Sequence, residues 1–144
     1  MDIKLKKLTP TAITPVYQTP GSAACDLHAD LPSPLTIAPG ERALIPTGIA
    51  IEPPDEPVAL LIFPRSGLAS KHGISLANSV GVVDRDYRGE IKVALINNSS
   101  TPYTISPSDR IAQLMLVPII AANFIEVSEL GSTERGDGGF GHSG

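Results

Sequence analysis

A carboxylate and an aromatic ring, Asp84 and Tyr87, stand three residues apart in the stretch Gly81-Val82-Val83-Asp84-Arg85-Asp86-Tyr87-Arg88-Gly89-Glu90. Glycines near both ends, with Arg85 and Asp86 between the carboxylate and the ring, make this a turn that presents side chains outward. Seen alone, an exposed aspartate in a turn serves the turn by bonding its own backbone, and the tyrosine would be a half-buried strand residue.

A second group of chemistry-bearing residues is Arg65-Ser66-Gly67, which directly follows the apolar run Val58 to Phe63. The chain turns there and exposes its amides. An arginine fork, a hydroxyl and a glycine that admits close approach to the backbone together make a small phosphate cradle. A surface arginine followed by a serine capping a short helical turn has the same three letters. The third group is the tail Arg135-Gly136-Asp137-Gly138-Gly139-Phe140-Gly141, where an arginine and a phenylalanine sit among glycines. Neither side chain can hold a position there unless it closes on something.

The elements that must position these groups are short. Fourteen prolines and thirteen glycines cut the 144-residue chain into pieces too small for ordinary helices. Residues 3–7 alternate, 42–46 and 48–51 flank a turn, and 58–63 form a fully apolar run. Ile91, Val93 and Leu95 share one face. Asn78 to Tyr87 reads as a hairpin, with Val80, Val82 and Val83 lining the strand before the Asp84-Arg85-Asp86 turn. The one helical turn predicted is Ser66 to His72. Many short strands separated by turns predict an all-β fold, a sandwich, barrel or jelly roll.

Composition narrows the function. The length suits one domain with one core, assigned to residues 1–130. From Gly131 the sequence shifts to glycine, serine and charge, the signature of a flexible arm over 131–144. A net charge of −4 supplies no global field for a nucleic-acid polymer, so a polyanion must be gripped by a few local cations, which suits a mononucleotide better. Cys25 is the only cysteine and is expected to be an inert, partly buried thiol. The longest apolar run, Leu114 to Ala122, is broken by Pro118 and is shorter than the ~20 residues of a membrane span. Residues 1–9 lack the continuous apolar run of a secretion signal, so a cytoplasmic location is expected. The runs 58–63 and 114–120 are apolar on both faces, more than a lone domain with one wet sheet face requires, and subunit contacts would absorb the excess.

Taken in order, Ser22-Ala23-Ala24-Cys25-Asp26-Leu27, Pro64 to Gly73, Asn78 to Glu90, Asp109-Arg110-Ile111-Ala112-Gln113 and the glycine-rich tail resemble the five motifs of the dUTPase family. Two departures stand out: Ser108 occupies a position where the family usually has glycine, and His142-Ser143 replaces the usual Ser-Thr.

The resemblance implies a jelly-roll-like, β-clip fold, a homotrimer with three shared sites, and Mg²⁺-dependent cleavage of dUTP to dUMP and pyrophosphate by water attack at the α-phosphorus. Such an activity limits uracil incorporation into DNA and supplies dUMP for thymidylate synthesis. By the same resemblance Asp84 orients and deprotonates the water, and Tyr87 lies flat on the deoxyribose, leaving no room for a 2′-hydroxyl. Asn78 and the backbone of Gly81, Val82 and Val83 hydrogen-bond uracil. Arg65, Ser66, Gly67, Gln113 and Arg135 meet phosphate, and Phe140 stacks on the base. Lys92 either borders the pocket or is a solvated strand lysine. Mg²⁺ rides on the phosphates, with Asp26 touching its water shell, and Arg110 braces structure through a carboxylate. Two rivals use the same scaffold: a dCTP deaminase, which changes the base, and a non-catalytic nucleotide-binding module, which is expected to lack the carboxylate or the arm.

Overall fold

A computed structural model describes residues 1–139. Among these, eleven strands and one helix follow in the order β1 (Lys4–Lys7), β2 (Cys25–His28), β3 (Leu35–Ile37), β4 (Arg42–Pro46), β5 (Ile49–Glu52), β6 (Val58–Pro64), α1 (Ser66–His72), β7 (Ile74–Leu76), β8 (Gly81–Val83), β9 (Lys92–Asn97), β10 (Tyr103–Ile105) and β11 (Arg110–Pro118). The all-β expectation holds, and α1 occupies the residues read as helical.

Every pairing is antiparallel, and most link strands far apart in sequence. The largest sheet has the order β2-β11-β6-β8. A second has β4-β9-β7, and two-stranded ribbons β1-β5 and β10-β3 complete the architecture. Leu27, Ile45, Leu60, Ile74, Val93, Leu95 and Ile111, from both larger sheets, are almost fully buried in one cluster. Alternation explains which side chains they are: along β9, Val93, Leu95 and Asn97 point in while Lys92 points out. Asn97 is tolerated at 0% exposure because its amide donates to the carbonyls of Ile37 and Thr101 and its oxygen accepts from Ser99.

The strands on either side of the turn at Thr47-Gly48 part company: β4 joins β9, while β5 joins β1. Gly48, at φ 67°, makes the corner. The hairpin expected over residues 78–87 is corrected. The strand before the turn exists, but it pairs with β6, setting Leu60 opposite Val83 and Ile62 opposite Gly81. The chain beyond it crosses to the other large sheet. The physical reason is composition: Val82 and Val83 find apolar partners in β6, whereas Asp84 to Arg88 are polar and exposed. The turn itself is real, closed by the Tyr87 amide donating to the Asp84 carbonyl at 3.1 Å.

The outer face of the large sheet accounts for the runs that were apolar on both faces. Phe63 stands opposite Gln113, Leu61 opposite Met115 and Ala59 opposite Val117, and Leu61, Phe63, Met115 and Val117 are only partly buried. The last residue tied to this sheet region is Ile119, whose amide donates to the Pro57 carbonyl. Beyond it, through residue 130, Ile120, Phe124 and Leu130 are each at least 90% exposed.

Ser108 has φ 67°, so the turn before β11 requires a left-handed residue, which the usual glycine supplies without a Cβ clash. The local bond from the Ser108 amide to the Ala29 carbonyl does not need the side chain. Ser108→Gly is therefore expected to stabilise the fold by about 0.5–1 kcal/mol after glycine's extra chain entropy is deducted, and to raise the thermal midpoint by a few degrees. A lowered midpoint would contradict this account of the turn.

Candidate functional site

At the end of β6 the apolar strand gives way to Arg65, which is the N-cap of α1 with extended backbone, φ −85° and ψ 129°. No side chain caps the helix, so the Ser66 hydroxyl is not consumed by that role and stands exposed on the first helical turn. Asp26 on β2, 7% exposed, faces this corner. Its Oδ1 lies 2.9 Å from Arg65 Nε and its Oδ2 lies 3.3 Å from Arg110 Nη1. Arg65 Nη1 reaches the Arg110 carbonyl at 3.5 Å. One buried carboxylate thus aims two guanidinium groups, and Arg65 keeps Nη2 for a further acceptor. Arg110 braces structure through a carboxylate, as expected, and that carboxylate is Asp26.

Gln113, on β11, donates from Nε2 to the Pro64 carbonyl at 3.0 Å. One amide hydrogen fixes the side chain beside Arg65 and the other remains to donate. Asp26, Arg65, Ser66, Gly67 and Gln113 line one cavity of about 800 Å³, together with Gln18, Ser22, Phe63 and Met115. Ser22 opens the first of the five motif segments, whereas Gln18, Phe63 and Met115 were not singled out as site residues and nothing in their spacing marks them. Two guanidinium groups on one carboxylate leave net positive charge here, and the donors fit a phosphate chain.

His28 and Cys25 lie on the same strand as Asp26. Burial pushes the His28 imidazole to titrate below its ordinary range; the Asp26 charge opposes this and the nearby Arg110 and Arg65 charges reinforce it. Its Nδ1 is buried without a hydrogen-bond partner. Burial likewise pushes the Cys25 thiol up, and its Sγ lies 3.4 Å from the Leu114 carbonyl; the thiol is buried, more fully than the partial burial expected.

The other half of the predicted site lies elsewhere on the chain. Val82, Val83, Asp84, Tyr87 and Lys92 line a separate cavity of about 310 Å³ with Leu44, Glu90 and Ile91. Lys92 Nζ is 3.4 Å from Glu90 Oε2, so it both borders this cavity and pairs with a carboxylate. Gly81 is buried against Ile62 across the β6-β8 pair, and Asn78 sits on the exposed β7-β8 turn; neither lines the cavity. Leu44, 61% exposed, gives it an apolar wall that sequence reading did not find.

Strand register measures how far apart the halves are. Val83 pairs with Leu60, so Asp84 comes level with Ala59, six residues along β6 from Arg65 (65 − 59). At about 3.3 Å per residue that is roughly 20 Å. One chain therefore does not bring Asp84 and Arg65 onto the same phosphate. Arg135 lines neither cavity; its Nε donates to the Gly138 carbonyl at 2.7 Å within its own turn. Phe140, His142 and Ser143 lie outside the described residues.

Comparison with known proteins is consistent across sequence and structure. The dUTPase family model matches residues 11–144. The deoxyuridine 5′-triphosphate nucleotidohydrolase of Shewanella oneidensis is 55% identical over 130 residues, covering 90% of this chain and 86% of that protein. The protein of the same name from Shewanella denitrificans is 51% identical over 146 residues, covering 99% and 96%. Among solved structures, the Staphylococcus bacteriophage 80alpha dUTPase superposes with a TM-score of 0.88 at 26% identity, covering 99% of this chain and 98% of that one. A family model spanning nearly the whole chain, and relatives above half identity along it, place the chain in the dUTPase family.

Proposed function

We propose that this chain hydrolyses dUTP to dUMP and pyrophosphate with Mg²⁺, by water attack at the α-phosphorus, in sites shared between copies of a homotrimer. The observation that carries the proposal is the division of the site into two half-sites about 20 Å apart along β6. One half, with Asp26, Arg65, Ser66, Gly67 and Gln113, has the donors for a phosphate chain. The other, with Val82, Val83, Asp84 and Tyr87, has a carboxylate, an aromatic face and strand backbone suited to water, sugar and base. A second copy that apposes its first half to this chain's second half completes a nucleotide site. The outward Leu61, Phe63, Met115 and Val117, and the exposed apolar side chains over 120–130, are the surface such an assembly would cover. The 80alpha relative has been solved with dUpNHpp bound, an analogue of the proposed substrate.

In this reading the protein's own groups do modest chemistry. Arg65, held by Asp26, spreads triphosphate charge; Ser66, Gly67 and Gln113 fix the chain in line; Asp84 aims the water. In the assembled site Asn78 and the backbone of Gly81 to Val83 read uracil, and Lys92 borders the cavity that Val82 and Val83 line. Both Asp26 oxygens already face arginines, so Mg²⁺ would be held chiefly by the substrate phosphates, and any part Asp26 took in holding it would be through water. When bound, Mg²⁺ neutralises charge developing on the phosphate oxygens. Residues 131–144 act as the arm, bringing Arg135 to phosphate and Phe140 to the base. The protein so working deals with free cytoplasmic nucleotide and keeps uracil out of DNA while providing dUMP for thymidylate synthesis.

The test is to incubate the protein and Mg²⁺ with each deoxynucleoside triphosphate in turn and identify products. Pyrophosphate and dUMP from dUTP alone are expected. Ammonia released from dCTP would instead establish the deaminase alternative, and binding without any turnover would establish a nucleotide-binding module.

A further inference from the structure

Tyr87 is 47% exposed, yet its ring has a defined seat. The phenol Oη donates to the Glu90 carbonyl at 3.0 Å, so the ring folds back across its own chain. It crosses over Gly89. A Cβ built at that position would lie 2.3 Å from Tyr87 Oη, 2.5 Å from Cζ and 2.9 Å from Cε2, all far inside contact distance. The groups beneath the ring do not give way. Glu90 Oε1 accepts the Gly48 amide at 3.0 Å, its Oε2 lies 3.4 Å from Lys92, and the Ile91 amide donates to Ile49 at 2.9 Å. The segment carrying the accepting carbonyl is therefore clipped to the corner between β4 and β5. On the other side, the Tyr87 amide is fixed by the Asp84 carbonyl. The atoms that a side chain at position 89 would meet are the far end of the Tyr87 ring, the most easily shifted group in this corner, so such a side chain displaces the ring.

We propose that Gly89 is a specificity-positioning residue: its missing side chain lets the Tyr87 ring fold onto the Glu90 carbonyl, and that pose is what excludes ribonucleoside triphosphates. The inference rests on the proposed function, in which Tyr87 faces the sugar. It adds that discrimination depends on the pose of the ring and not on the presence of a tyrosine alone. Gly89 has no positive φ, so alanine suits its backbone and the substitution acts through the ring. An aromatic face displaced by a few ångströms leaves room for a 2′-hydroxyl where the seated ring does not.

The experiment compares kcat/KM for dUTP and for UTP in the parent, in Gly89→Ala and in Tyr87→Phe, with thermal melting to verify folding. The phenylalanine variant keeps the ring and loses its tether, and it survives as a test should the alanine variant fail to fold. The dUTP-to-UTP ratio is expected to fall at least tenfold in Gly89→Ala, and by a smaller factor in Tyr87→Phe. A merely structural role for Gly89 would lower the melting temperature and both rates together, with the ratio unmoved. An unchanged ratio in the folded alanine variant, or in the phenylalanine variant where it alone folds, overturns the inference and leaves the proposed function standing. A parent that does not cleave dUTP removes both, and one that cleaves dUTP and UTP equally well removes the inference alone.

Discussion

Asp84→Asn is expected to bind nucleotide as the parent does and to lose between about 10² and 10⁴ of its turnover, the range associated with a positioned general base. The substitution is nearly isosteric and keeps one oxygen that can accept a hydrogen bond. The turn carrying it is closed by main-chain groups, the Tyr87 amide and the Asp84 carbonyl, so the turn does not depend on the carboxylate. That geometry separates the two readings of an exposed turn aspartate. A residue serving the turn would cost stability and spare activity; a residue aiming water would do the reverse. The measurement is kcat at saturating dUTP and Mg²⁺ beside the dissociation constant of a non-hydrolysable analogue and the thermal midpoint. Turnover near the parent level, with binding intact, would remove Asp84 from the mechanism. The expected loss equals about 3–5 kcal/mol of transition-state stabilisation, which is large for one exposed side chain and plausible only if a second copy closes over it.

What the sequence revealed, and what it hid, follow from the range of the interactions. β4 and α1 were legible to the residue and β6 to within one, because a local apolar run or a turn bounded by glycine suffices to define them. β3 and β10 are three residues each and pair only with one another, too short to show a period. The β6-β8 and β6-β11 pairings were hidden because strand partnership is a long-range property; the same Val82 and Val83 that read as one arm of a hairpin were recruited by Leu60 and Leu61 instead. The site followed the same rule. Arg65, Ser66, Gly67 and Gln113 assemble as the motif pattern implied, but the carboxylate that aims Arg65 comes from Asp26, on a strand far away in sequence, and no local spacing announces it. Leu44 and Gln18 enter their cavities through tertiary contact alone. The roughly 20 Å between Asp84 and Arg65 is legible only once register is known, because it is the count of residues along β6 that sets it.

Deleting residues 135–144 is expected to leave the melting temperature and the oligomeric state unchanged and to lower kcat/KM for dUTP by 10² or more. The first half of this expectation rests on where the core ends. The last strand closes at Pro118, and the described part of the tail forms only its own turn, with Gly138 and Arg135 bonded to each other and Gly136 to Thr133. Among the described residues, the deletion therefore removes no strand pair and no buried side chain. The second half rests on charge and closure. A guanidinium brought to the phosphates is a donor aimed where charge develops, and removing one such donor costs about 10²–10³ in rate; losing Phe140 removes, in addition, the group proposed to stack on uracil and exclude water. Ordering a glycine-rich segment costs on the order of 1–2 kcal/mol per residue, so in this mechanism the arm closes only when both the arginine and the ring find ligand. Arg135→Ala and Phe140→Ala should then each resemble the full deletion more than half-way, because losing either contact leaves too little to offset the ordering cost. Two single variants with near-parent rates, or a truncated chain with unchanged kcat/KM, would show that the pocket works open and that the tail has no part in cleavage.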